Sequence, residues 1–267
     1  MLPPLSAEPI FYLASMPITN AMINALIGVV FFVILALVLS RKRSMVPRGI
    51  QNVFESILEL GLSFAEQVTG NRKTAERFFP LAMTLFLFIL FSNWIGLLPG
   101  TGSIGVFQLH AGEVELIPLL RPASSDLNMT LAMAALSILM THVFGVMAIG
   151  VWKHANKFIN LRGIFHAFKK GPMAILVSLI EFGVGLIELV GEVAKTLSLS
   201  LRLFGNVFAG EVLLTVLAGL LAFGLPIPFL FLELLVGVIQ ATVFAVLVLA
   251  FGAVATMSPH GDSEEAH

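Results

Sequence analysis

The chain has 267 residues; 58% are hydrophobic, 12% are charged, the net charge is −1 and the mean hydropathy is +0.98. Soluble proteins carry about 25% charged residues, so this composition belongs to a polytopic membrane protein and not to a water-soluble domain. The lack of cysteine excludes disulfides and thiolate metal sites, and the balanced charge gives no reason for a nucleic-acid partner.

Residues 1–20 are mixed in character and are expected outside the bilayer or at its interface; with no basic n-region they do not form a signal peptide. Residues 21–40 are an apolar run of about the 20 residues a spanning helix needs. The segment 41–77 opens with Arg41, Lys42, Arg43 and Arg48. From Gln51 to Val68 it alternates apolar residues with Glu55, Glu59 and Glu66. That pattern predicts an amphipathic helix, lying on the membrane surface or packed on the bundle. Arg72, Lys73 and Arg77 precede the second span, 78–98, whose Trp94 suits an interfacial belt and which Pro99-Gly100 ends. An outer loop follows at 99–126, with Glu113, Glu115 and a single basic residue, Arg121. The third span, 127–151, starts after Asp126, which fits an N-cap. Residues 152–171 form a basic loop.

From Pro172 to Leu221 the chain is apolar for some fifty residues with no further proline. At ~1.5 Å per residue this is ~75 Å, more than twice the ~30 Å hydrocarbon core. The block is two helices or one strongly tilted helix. The turn Phe223 to Pro228 separates it from a last span, Phe229 to Met257, so that 172–257 forms a long hairpin. Residues 258–267 are a polar tail. Segments 41–77 and 152–171 hold seven and five Lys/Arg, against one in 101–125. The positive-inside rule therefore puts the first two in the cytoplasm, the N-terminus outside and the C-terminus inside. No internal repeat supports an inverted-repeat transporter.

The chemistry concentrates in Lys195 to Leu214, KTLSLSLRLFGNVFAGEVLL. Arg202 stands in an apolar stretch, where an arginine costs about 2.5–3.5 kcal/mol on insertion scales and marks a functional site by default. It is a permanent cation. At about 100° per residue, Glu181, Glu188, Glu192, Lys195, Arg202 and Asn206 share one narrow face, interrupted by Leu199. Ser198 and Ser200 point off that face and are expected to bond to their own helix's carbonyls. Glu211 points about 140° away and is expected to face the returning helix, where Glu233 and Gln240 share a face. Chains of ionisable residues in a membrane mark ion pathways. The pattern suggests one path on the Glu188 side of Arg202 and a second through Glu211, Glu233 and Gln240, with the arginine as a barrier between them. Helix-holding hydrogen bonds and ion pairs are the competing role, strongest for Glu181, Glu192 and Lys195. His142 is expected to be a packed, hydrogen-bonded residue. His110, His154, His166, His260 and His267 fall in loops or the tail without metal spacing. GVGLIELVG, Gly183 to Gly191, is a weak close-approach motif. The 23 phenylalanines are packing and lipid-facing residues.

LRLFGNVFAGE resembles the signature of subunit a of the rotary F-type ATP synthase, the membrane stator beside the ring of c subunits. PASSDLNMTLAMAA (Pro122 to Ala135), LIELVGEVAKTLSLS (Leu186 to Ser200) and Gln240 on the last span agree with that family. The resemblance implies an all-α integral membrane fold with five hydrophobic blocks, a surface helix and a tilted hairpin beside the c-ring. It implies that Arg202 is the stator charge, that Asn206, Glu211 and Gln240 belong to the outer half-channel, and Glu188 to the cytoplasmic one. Some bacterial members have histidine where this chain has Glu233, so its pairing with Glu211 would differ. The implied role is non-catalytic, carrying protons to and from c-ring carboxylates so that proton flow drives rotation. No cofactor or metal is implied. The implied partners are the c-ring, peripheral-stalk b subunits, other ATP synthase subunits and the lipid bilayer, in a bacterial plasma (inner) membrane. A sodium-coupled version and a self-contained secondary transporter are the alternatives. There is no GxxxxGK[ST] loop for ATP chemistry, and no HExxH motif for an intramembrane hydrolase.

Overall fold

The structure is a computed structural model that describes residues 4, 6–13, 15–41, 49–98, 100–101, 104–110, 113–158, 172–221 and 224–256. The basic residues at 42–48 and 162–170, Phe223 of the turn and the polar tail lie outside the described residues, as do His166, His260 and His267. The fold is an all-α membrane fold with two small hairpins added. Its helices are α1 (Asn20–Arg41), α2 (Ile50–Thr69), α3 (Arg72–Gly96), α4 (Leu127–Ile149), α5 (Val151–Phe158), α6 (Pro172–Leu220) and α7 (Pro226–Thr256). Five of these, α1, α3, α4, α6 and α7, are long and apolar enough to cross a membrane.

Local chemistry sets the ends. Asn71 caps α3 by accepting from the Lys73 N–H at 2.9 Å, so α3 begins at Arg72 rather than at Phe78. Asp126 caps α4 by accepting from the Asn128 N–H at 3.0 Å. Gly150, at φ 87°, breaks the chain after α4, and a separate short helix, α5, then runs over residues expected to be loop. With no proline after Pro172, α6 is one helix of 49 residues, not two. It is about 74 Å long at 1.5 Å per residue.

The hairpins were not expected. β1 (Pro9–Leu13) pairs with β2 (Met16–Thr19), and β3 (Gly105–His110) pairs with β4 (Glu113–Pro118), both antiparallel. They pin the N-terminal segment and the loop before α4 to the bundle. The Asn20 N–H donates to the Glu8 carbonyl at 3.1 Å, and the Asn24 amide donates to the Arg121 carbonyl at 2.8 Å.

The core joins four helices: Leu85 and Ile89 of α3, Met133 and Ala134 of α4, Leu199, Leu203 and Val207 of α6, and Ala241, Phe244 and Val248 of α7. A second cluster seats α2, through Ala65, against Ala75, Phe78 and Ala82 of α3 and Leu249 of α7. Val53, Ile57, Leu60 and Phe64 of α2 stay exposed, so α2 is both packed on the bundle and apolar on its free side. Gly183 and Gly191 meet nothing within 4 Å; the close-approach motif brings no helix near.

Candidate functional site

The buried positions of α6 decide where its charges point. Leu199 and Leu203 are fully packed, and they turn Arg202 and Asn206 outward, where both are exposed. The expected stripe is therefore split: Leu199, lying on its line, belongs to the core. Arg202 makes no ion pair and no side-chain hydrogen bond among the described residues. Among the described residues, the guanidinium thus stands on an apolar helix with its charge unmatched. Ser200 does not bond back to its own helix as expected; its hydroxyl sits 3.2 Å from that of Thr130, tying α6 to α4 in the core.

Beyond Arg202, α6 and α7 border a cavity of about 440 Å³ whose wall includes Asn93, Arg121, Val207, Glu211, Glu233 and Gly237. Glu211 and Glu233 thus share one space. A Cβ on Gly210 would run into the Glu233 carboxylate, so the glycine makes the room that this side chain occupies. Glu233 has no hydrogen-bond or ion-pair partner among the described residues. Asn93, buried at 4% exposure, leaves both its amide atoms unpaired there. Gln240 and Asn206 are not part of the cavity wall.

Sequence reasoning overlooked Arg121. Its guanidinium is 2% exposed and lies 3.1 Å from the Glu211 carboxylate, with Nε and Nη2 both donating at 3.2 Å. It also donates to the carbonyls of Ser6 at 3.1 Å and Pro4 at 2.8 Å. Glu211 therefore pairs with the loop before α4, not with Glu233. The signal was present: Arg121 is the single basic residue of 101–125, beside the Pro122–Ala135 stretch.

A second polar group lies at the other end of the core. Lys195 donates to Glu192 at 2.6 Å and lies over the Phe251 ring. His142 of α4 places Nε2 3.6 Å from Glu192 and Nδ1 3.3 Å from Nε2 of His154. His142 is thus hydrogen-bonded, as expected. His154 is not a loop residue but a buried position of α5. Glu188 is half-buried one turn before Glu192, and Glu181 is exposed. No cluster able to hold a metal ion occurs among the described residues.

Fold and site define a polytopic helical membrane protein with charged groups on both sides of a lone arginine. The family model described as ATP synthase A chain matches residues 21–253. ATP synthase subunit a of Moorella thermoacetica is 33% identical, over 91% of this chain and 93% of its own length. ATP synthase subunit a 1 of Syntrophotalea carbinolica is 37% identical, over 87% and 80%, and subunit a of Mycobacterium ulcerans is 34% identical, over 87% and 85%. The chain belongs to the ATP synthase A chain family, with the non-catalytic, proton-translocating role of its a subunit.

Proposed function

We infer that this chain is the stator half of a proton-driven rotary machine, with Arg202 as its fixed charge. The observation that carries this is the exposed Arg202 without a carboxylate partner among the described residues. On α6, Ala209 and Leu213 lie within about 20° of Arg202 and Asn206 within about 40°, and all are exposed. This face suits a ring of c subunits, each offering one carboxylate. Peripheral-stalk b subunits are the further expected partners. The tilt of the α6–α7 hairpin follows from its length: about 74 Å exceeds a ~30 Å hydrocarbon core unless the helix runs oblique to the bilayer.

The outer half-channel is the cavity holding Glu211 and Glu233, with Asn206 and Gln240 between it and the ring. The cytoplasmic half-channel is on the Glu188 side. A proton taken up at Glu233 passes to a ring carboxylate, which, neutralised by that proton, leaves Arg202 and enters lipid. Arg202 attracts the ionised carboxylate on its return and blocks a direct leak. Each charge that crosses yields about 2.3 kcal/mol per 100 mV, so one ATP needs several crossings. The protein resides in a bacterial plasma (inner) membrane, with the N-terminus outside and the C-terminus in the cytoplasm.

The chain has no native cysteine, which makes the test clean. Cysteines at Ala209 and Leu213 should cross-link to the c subunit in the assembled complex, while one at Leu199 should not. Equal cross-linking from Leu199, or none from Ala209 and Leu213, would refute the assigned face.

A further inference from the structure

The geometry points to a proton relay, Glu192–His142–His154, that leads from the Glu188 side of Arg202 through α4 to α5. This inference rests on the half-channel reading above.

The bridge is His142. Its two ring nitrogens face two different groups, Glu192 Oε2 at 3.6 Å and His154 Nε2 at 3.3 Å. Imidazole can accept a proton at one nitrogen and release one from the other, which suits it to a shuttle. When Glu192 gives a proton to His142 Nε2, His142 Nδ1 gives one to His154 Nε2. Each transfer breaks one bond to hydrogen and forms another, and no net charge stays on His142. Both contacts are longer than the roughly 2.6–3.2 Å over which a proton is transferred directly, and the relay needs them to tighten in the working complex, as catalytic hydrogen bonds commonly do.

The fold makes room for this arrangement. A Cβ on Gly145 would lie 2.8 Å from His154 Cε1, so the glycine leaves the place for the imidazole. Gly150 redirects the chain so that α5 folds back and brings His154 to α4, twelve residues from His142. Glu192 lies about 15 Å before Arg202 along α6, and Glu188 one turn before that. Among the described residues, the groups facing His142 come from three elements. From α6 come Glu192 and Lys195, from α5 His154 and Phe158, and from α7 the uncharged Phe251, Val254 and Ala255. Arg77 of α3 lies 5.8 Å above the ring of Phe144, two residues along α4. A structural latch would need only hydrogen bonds. A Glu–His–His series joined through both nitrogens of its middle ring also carries protons.

The test uses inverted membrane vesicles bearing the whole complex, so that the bath reaches the face carrying this cluster. ATP-driven proton pumping is recorded against bath pH for the native protein, His142→Gln, His154→Gln and Arg202→Ala, with and without added imidazole. Glutamine keeps a donor and an acceptor and so preserves a latch. The relay predicts a loss of about tenfold or more in the glutamine variants, on the low side for a positioned proton-transfer group because water can partly substitute. It also predicts a changed pH profile and recovery with imidazole. Rates within twofold of native across the pH range, or a loss that imidazole leaves unchanged, would overturn the relay. Where His154→Gln fails to assemble in its tight site, His142→Gln, at a position 28% exposed, carries the same test. Arg202→Ala separates the two levels: if it pumps, the half-channel reading fails. If it is inactive while both glutamine variants match native, only the relay fails.

Discussion

Arg121→Met removes a cation that the structure buries against Glu211. Breaking a buried ion pair from one side costs about 3–5 kcal/mol, because the surviving charge is left uncompensated. Arg121 is 2% exposed and the Glu211 side chain 23% exposed, so the cavity can hydrate the carboxylate in part. The cost should then fall at the low end, about 3 kcal/mol, a roughly 150-fold change in equilibrium. The carbonyls of Pro4 and Ser6 lose their donor too, but they regain water once the N-terminal segment lifts. The assay is denaturant unfolding in micelles for native, Arg121→Met, Glu211→Leu and the double variant. The double variant should recover much of the loss, since neither charge is left alone. A single-variant cost below about 1 kcal/mol, or a cycle additive within about 0.5 kcal/mol, would refute the buried pairing.

Glu233→Gln should slow proton uptake from the outer cavity while leaving stability within about 0.5 kcal/mol of native, because the carboxylate has no partner among the described residues to lose; unchanged ATP-driven pumping would count against its role. Gly210→Ala should reproduce that defect by displacing the Glu233 carboxylate, and a variant that pumps normally would show that Glu233's position does not matter. Gly252→Ala puts a Cβ 2.6 Å from Phe78 ring atoms, so the packing of α3 on α7 should weaken by about 1–3 kcal/mol, read as a lowered unfolding midpoint.

The membrane class, the five apolar helices and an arginine set in an apolar stretch at 202 were legible because they rest on composition and on a charge where none is affordable in hydrocarbon; that Arg202 is unpaired among the described residues was not. The single long α6 was legible only as one of two options, since a proline-free run can still turn. Other features depend on contacts distant in sequence. Arg121 meets Glu211 across 90 positions, so it could be read only as a loop charge that informs orientation. His154 meets His142 only because Gly150 reverses the chain, which no helical spacing encodes. The split of the polar face at Leu199 follows from packing of α6 against α3, α4 and α7, and angular position alone could not say which side the core takes. The β3–β4 hairpin had a local signal, two alternating runs, GVFQLH and EVELIP, flanking Ala111-Gly112.

The most direct test of the central claim is ATP-driven and passive proton flux in vesicles carrying the whole complex, native against Arg202→Ala. Arg202 is exposed and makes no bond within the described chain, so the variant should assemble with native stability. It should nevertheless lose ATP-driven pumping. Pumping at the native rate would mean that Arg202 is not the barrier between the two half-channels.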